Sequence, residues 1–143
     1  MRPEAFDGDS VIVDTNVFSG LSEGDPLYVG FRPFVVGRFA YLSFVTVAEV
    51  LAGAKAAKFG PRRLQPIEEG MKAYGVLPGN IAVARMYADL WARLKKAGLP
   101  MSTNDLWIAA TALAQEPRLP LLTNDRGFAN AATVSDLVLV APD

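Results

Sequence analysis

Short β-branched runs alternate with helix-length segments along this whole chain, and that alternation restricts the fold more than any other feature. Ser10–Val13 and Phe39–Ser43 read as strands, Gly75–Leu77 as a short one, and Leu119–Thr123 and Leu137–Val140 as two more. Between them, Phe44–Phe59 is alanine-rich and apolar on nearly every side, which predicts a buried helix ended by Gly60-Pro61. Pro61–Tyr74 is a more polar helical stretch with Glu68, Glu69 and Lys72 on its wet face. Ile81–Ala97 carries helical spacing at Met86, Leu90 and Leu94 and stops at Gly98-Leu99-Pro100, with Asp89 on its solvated side. Asn104–Gln115 is another apolar helix. The alternation predicts an α/β/α arrangement, a parallel sheet flanked by helices on both faces. With no repeat, no low-complexity tract and no linker-like shift, the 143 residues read as a single domain spanning 1–143.

Four acids stand where these elements begin or end. Asp14 follows Val11-Ile12-Val13, and Asp125 lies two residues past Thr123. Glu49 sits in the apolar run Val45-Thr46-Val47-Ala48-Glu49-Val50-Leu51, and Asp105 precedes a stretch, Leu106 to Ala114, that holds no charge at all. Sites in parallel sheets form beyond the carboxyl ends of the strands, so one edge could gather all four. A carboxylate in apolar surroundings is costly to desolvate unless something positive compensates it. The chain has no histidine and no cysteine, which removes zinc fingers, thiol nucleophiles and disulfides. What remains is a hard divalent cation on oxygen ligands, Mg²⁺ or Mn²⁺.

Each acid also has an ordinary structural reading. Asp14 is a fitting N-cap after a strand, and Asp105 suits the dipole of a helix N-terminus. Asn124-Asp125-Arg126-Gly127 is common turn chemistry. Thr46-x-x-Glu49 fits a capping box if the helix starts at Thr46, whereas a start at Ser43 puts Glu49 beyond the first turn. Lys55, Lys58, Arg62 and Arg63 read first as a solvated face and second as a phosphate-contacting patch. Trp91 and Trp107 read as core or interface aromatics rather than base-stacking platforms.

Net charge is −1, so no global basic field draws in nucleic acid, and a nucleic-acid enzyme of this balance needs metal ions and local arginines. Met1–Asp7 lacks the basic and apolar regions of a signal peptide. Phe39–Ala48 falls far short of the roughly 20 residues of a membrane span. A soluble, cytoplasmic protein is expected.

With these residues in hand, the sequence resembles the PIN-domain ribonucleases, and more closely the VapC toxins of toxin–antitoxin pairs. The resemblance lies in Val11-Ile12-Val13-Asp14-Thr15-Asn16-Val17-Phe18, Ser43 through Gly53, Asp105 through Ala112, and Leu122 through Phe128. Their order and approximate spacing hold over almost the full chain. It implies that Asp14, Glu49, Asp105 and Asp125 meet as a Mg²⁺ or Mn²⁺ site that hydrolyses RNA. It further implies supporting roles for Thr15 or Asn16 and for Thr123, a VapB-like antitoxin partner, and a homodimer. Two features depart from the pattern: a glycine- and proline-rich insertion at 19–38, and Trp107 where a smaller residue is common.

Rival readings fit less of the chain. A receiver domain needs a lysine after its last site strand, and none follows Lys96. A phosphohydrolase of the haloacid dehalogenase type wants a second aspartate where Asn16 stands. A glycosidase uses only two carboxylates. A PIN-like module that binds RNA or a protein without cutting stays open at this point.

Overall fold

Five parallel strands form one sheet in the order β3-β2-β1-β4-β5 in the computed structural model, which describes residues 1–143. The strands are β1 (Ser10–Val13), β2 (Phe39–Ser43), β3 (Gly75–Leu77), β4 (Leu121–Leu122) and β5 (Leu139–Val140). The helices are α1 (Thr15–Ser22), α2 (Arg32–Val35), α3 (Phe44–Ala56), α4 (Pro61–Met71), α5 (Ile81–Ala97), α6 (Thr103–Leu113) and α7 (Ala129–Val134). Central β1 pairs with β2 on one side, Ile12 opposite Tyr41, and with β4 on the other, Val13 opposite Leu122.

Side chains alternate across a strand, and β1 shows the consequence directly. Val11 and Val13 enter one buried cluster with Val17 and Phe18 of α1, Phe34 of α2 and Ile67 of α4. Ile12 enters the other with Leu90 of α5, Ile108 of α6 and Ala131 of α7. Both faces of the sheet are covered, as the alternation of elements predicts. The chain reverses its strand order beside β1, which leads to β2 on one side and has β4 on the other. A crevice at such a switch point opens beyond the carboxyl ends of the strands.

Some sequence expectations are corrected. The helix expected over Phe44–Phe59 ends at Ala56 and is not buried: only Val45, Thr46 and Ala54 are, while Ala48, Ala52 and Gly53 are exposed. Alanine and glycine have little apolar area to withdraw from water, so a run of them does not demand burial. The last two strands are two residues each, because Leu119 and Leu137 reach the core without ladder pairing. The stretch 19–38 folds as the end of α1, a 3₁₀ turn over Pro26–Phe31, and α2, and it delivers Phe31 and Phe34 to the core. Asp89 is exposed, and α6 is buried along Leu106 and Ile108–Leu113, as expected. Trp107 stacks on Tyr87 with 4.0 Å between ring centroids.

A candidate metal centre at the end of the sheet

Asp14 is a helix cap at the end of the central strand. The chain leaves β1 at Val13, and Asp14 then caps α1, one carboxylate oxygen accepting from the Val17 N–H at 2.8 Å. Its other oxygen accepts from the Thr123 hydroxyl, just past β4. The Thr123 oxygen in turn accepts from the Asp125 N–H at 2.9 Å. One threonine therefore ties the β1 acid to the β4 acid. Asp14 is 2% exposed, and it is the one buried acid of the four.

Glu49 is held from a different direction. Ser43 caps α3, its hydroxyl accepting from the Val45 N–H at 3.1 Å, so Glu49 lies beyond the first turn and the capping-box reading is ruled out. The Thr15 hydroxyl donates to Glu49 Oε1 at 2.9 Å. Thr15 has one proton, so its 3.0 Å contact with the buried Thr46 hydroxyl runs with Thr46 as donor. Asn16, the other residue the resemblance implied, is exposed and makes no hydrogen bond through its side chain.

Asp105 occupies the first turn of α6, whose cap is Ser102; the Ser102 hydroxyl accepts from the Asp105 N–H at 3.2 Å. Asp125 caps the 3₁₀ turn Arg126–Phe128, accepting from the Gly127 N–H at 2.8 Å. Gly127 also marks the approach of the two aspartates. A Cβ there would lie 3.1 Å from Asp125 Oδ1 and 3.4 Å from Asp105 Oδ2. Both oxygens flank one point that a side chain would fill.

Charge coupling links the four acids. Burial, above all, raises the Asp14 pKa from 3.8 to about 6, against the Thr123 and Val17 hydrogen bonds, and the charges of Asp125 and Asp105 add to the rise. The Asp105 carboxyl is also pushed up, first by burial, with Ser102 opposing and the charges of Asp125 and Glu49 reinforcing. No lysine or arginine acts on either acid, and none of the four is in a salt bridge. Asp14 and Asp105 therefore feel neighbouring carboxylates from other chain segments, and no lysine or arginine charge offsets either of them.

This donor set fits a hard cation: all oxygen, no nitrogen or sulfur, and a net charge that calls for one. No three of the acids converge into a ready-made cage. Mg²⁺ asks for none, because it keeps several waters and takes one or two carboxylates directly. Sequence reasoning missed Thr46 as the donor behind Thr15, Ser102 as the cap of α6, and Gly127 as the gap between two aspartates. The Ser102-x-x-Asp105 spacing carried a usable signal for the second.

A five-stranded parallel α/β sheet with acids at its switch point is the arrangement of a PIN domain, and the family signature for the PIN domain matches residues 11–134. The chain is 38% identical to the VapC ribonuclease Y4jK of Sinorhizobium fredii, over 73% of this chain and 80% of that protein. It is 34% identical to ribonuclease VapC5 of Mycobacterium tuberculosis, over 82% and 84%. Among solved structures, VapBC-1 of nontypeable Haemophilus influenzae superposes with a TM-score of 0.76 at 28% identity, covering 92% of this chain and 97% of that one. This chain belongs to the VapC ribonucleases of the PIN-domain family.

Proposed function

We propose that the chain is an endoribonuclease that depends on a divalent cation, Mg²⁺ or Mn²⁺, and is the toxin of a VapBC-type pair. One observation supports the reading: Asp14 feels the charges of Asp125 and Asp105, and Asp105 those of Asp125 and Glu49, with no lysine or arginine offsetting either. When bound, the cation would supply Lewis-acid stabilisation of phosphate charge and acidify a water for attack on the RNA phosphodiester. The four acids would hold it directly or through water.

The chain's own groups then have separable duties. Asp14 has both oxygens committed to protein donors, Val17 N–H and the Thr123 hydroxyl, so its position is fixed before any ligand arrives. Thr123 also fixes the backbone of Asp125. Thr15, held by Thr46, sets the carboxylate of Glu49. Asp105 is tied only through Ser102 at its helix end and is the acid freest to turn toward substrate. Gly127 leaves room between Asp105 and Asp125.

An antitoxin of the VapB kind would silence such a site most directly with an arginine, whose guanidinium pairs bidentately with carboxylate. No helix is long and apolar enough to cross a membrane, and a cytoplasmic address goes with an RNA substrate. A homodimer belongs to the same reading, and sedimentation of the purified chain checks it. The lack of a ready-made cage favours one second reading, a PIN-like module that binds RNA or protein without cutting. Incubation of RNA with the purified chain in Mg²⁺ and in EDTA decides between them: cleavage in Mg²⁺ alone supports the nuclease, and none in either supports the binding module.

A further inference from the structure

A groove of about 170 Å³ has Glu49, one of the four acids, in its lining together with a second carboxylate, Glu23. Thr15, Phe18, Gly53 and Phe59 line the same groove, so Glu49 and Phe59 border one cavity. The chain between Glu49 and Glu68 contains no acid but four cations, Lys55, Lys58, Arg62 and Arg63. All four are exposed and none has a salt-bridge partner. The Arg63 guanidinium lies over the Phe59 ring, 3.8 Å from its centroid, which holds one positive charge against a residue that lines the groove. Helix α4 begins beside it at Gly60 with no side-chain cap.

Lys58 adds an independent observation. It is the one residue other than glycine with positive φ, at 56°. It terminates α3 with paired bonds, Lys58 N–H to the Lys55 carbonyl and Phe59 N–H to the Ala54 carbonyl. That is the position where helices favour glycine, because a Cβ is strained there. Here a lysine stands instead, at a cost in stability. Strain of this kind collects where a side chain is needed for something other than folding.

We infer that the segment Lys55–Arg63 is the track on which single-stranded RNA lies beside the acids, its phosphates meeting Lys58 and Arg63 while a phosphate further along the same strand enters the carboxylate site. This rests on the ribonuclease reading above and assigns it a direction along the surface. A chain of net charge −1 gathers RNA only through such a local patch. The arrangement also solves the problem posed by four carboxylates, which repel a polyanion unless cations flank them.

The test uses the full chain and two variants, Lys58→Gly and Arg63→Gln, the second keeping a flat group to cover Phe59. The probe is a short mixed-sequence single-stranded RNA, with binding read by fluorescence anisotropy in Ca²⁺ over a range of salt and cleavage of the same RNA followed in Mg²⁺. Each variant is expected to weaken binding several-fold and to reduce the slope of log affinity against log salt by about 0.7. Lys58→Gly is expected at the same time to raise the melting temperature by about 2–4 °C. That pairing of greater stability with weaker RNA binding is not what a purely structural lysine would give. Wild type that binds with the steeper slope but does not cut supports the track and sinks the nuclease reading. Wild type that cuts while both variants keep its salt slope overturns the track and leaves the nuclease reading standing. Loss of binding to a poly-glutamate peptide with RNA binding unchanged would assign the surface to a protein and also overturn it.

Discussion

Asp14 and Thr123, 109 positions apart in the chain, share a hydrogen bond inside the protein, and Asp125 hangs from the same threonine oxygen. The bond gives a buried carboxylate a donor and fixes a turn in one stroke. Thr123→Val keeps the shape and removes the donor. It is expected to cost about 1–3 kcal/mol in urea denaturation, the penalty for an unpartnered buried acceptor. Thr123→Ser should recover most of it, and an unchanged midpoint for the valine variant would remove the bond from the account.

Asp14 makes the stability of the metal-free protein depend on pH. Unfolded, its carboxyl titrates near 3.8; folded, near 6, chiefly because it is buried. Below about pH 4 it is protonated in both states and burial carries no charge penalty. Between about 4 and 6 the unfolded chain gives up the proton while the folded chain keeps it, so folding weakens as pH rises. Above 6 the loss is complete, roughly 3 kcal/mol. Denaturation in EDTA across this range should show the decline in wild type and a flatter profile in Asp14→Asn. Parallel profiles would contradict it.

A cation that offsets the acids must also stabilise the fold. Mg²⁺ or Mn²⁺ at one hundred times its dissociation constant is expected to add about 2.7 kcal/mol to wild type. EDTA should reverse the gain. Asp105→Asn, with one less charge at the site, should gain less from either ion in the same thermal melts.

Gly127→Ala tests the gap between Asp105 and Asp125 without touching either acid. The added Cβ meets Asp125 Oδ1 at 3.1 Å and Asp105 Oδ2 at 3.4 Å, so the carboxylates must give way. Gly127 does not have positive φ, so the backbone tolerates alanine. Weaker Mn²⁺ binding by calorimetry with a melting point close to wild type is expected. Unaltered Mn²⁺ affinity would mean that this point is not part of the site.

The fold was legible because five strand-like runs and four helix-length segments interleave along the chain, while α1, α2 and α7, of eight, four and six residues, were too short to leave a clear periodic pattern. Asp14 and Glu49 stood out as candidates because they interrupt apolar sequence and Asp105 because an uncharged helix follows it, whereas Asp125, in Thr123-Asn124-Asp125-Arg126-Gly127, stood out only by its company. Burial of α3 was misread because Ala48, Ala52 and Gly53 are apolar by type yet too small to require covering. Glu49 stayed ambiguous because Ser43 and Thr46 both make good caps, and only tertiary structure chooses between them. The Thr46–Thr15–Glu49 relay spans 34 positions and leaves no local pattern to read.

The most direct test of the acidic site is RNA cleavage by wild type and Asp14→Asn in Mg²⁺, with thermal melts of both in EDTA. Asparagine keeps the oxygen that accepts from Val17 N–H and removes the charge, so the fold is expected to survive. The expected result is Mg²⁺-dependent cleavage by wild type, a loss of at least about a hundredfold in the variant, and a variant melting point no lower than wild type. Cleavage by Asp14→Asn at the wild-type rate, with its fold intact, would contradict the assignment of this site.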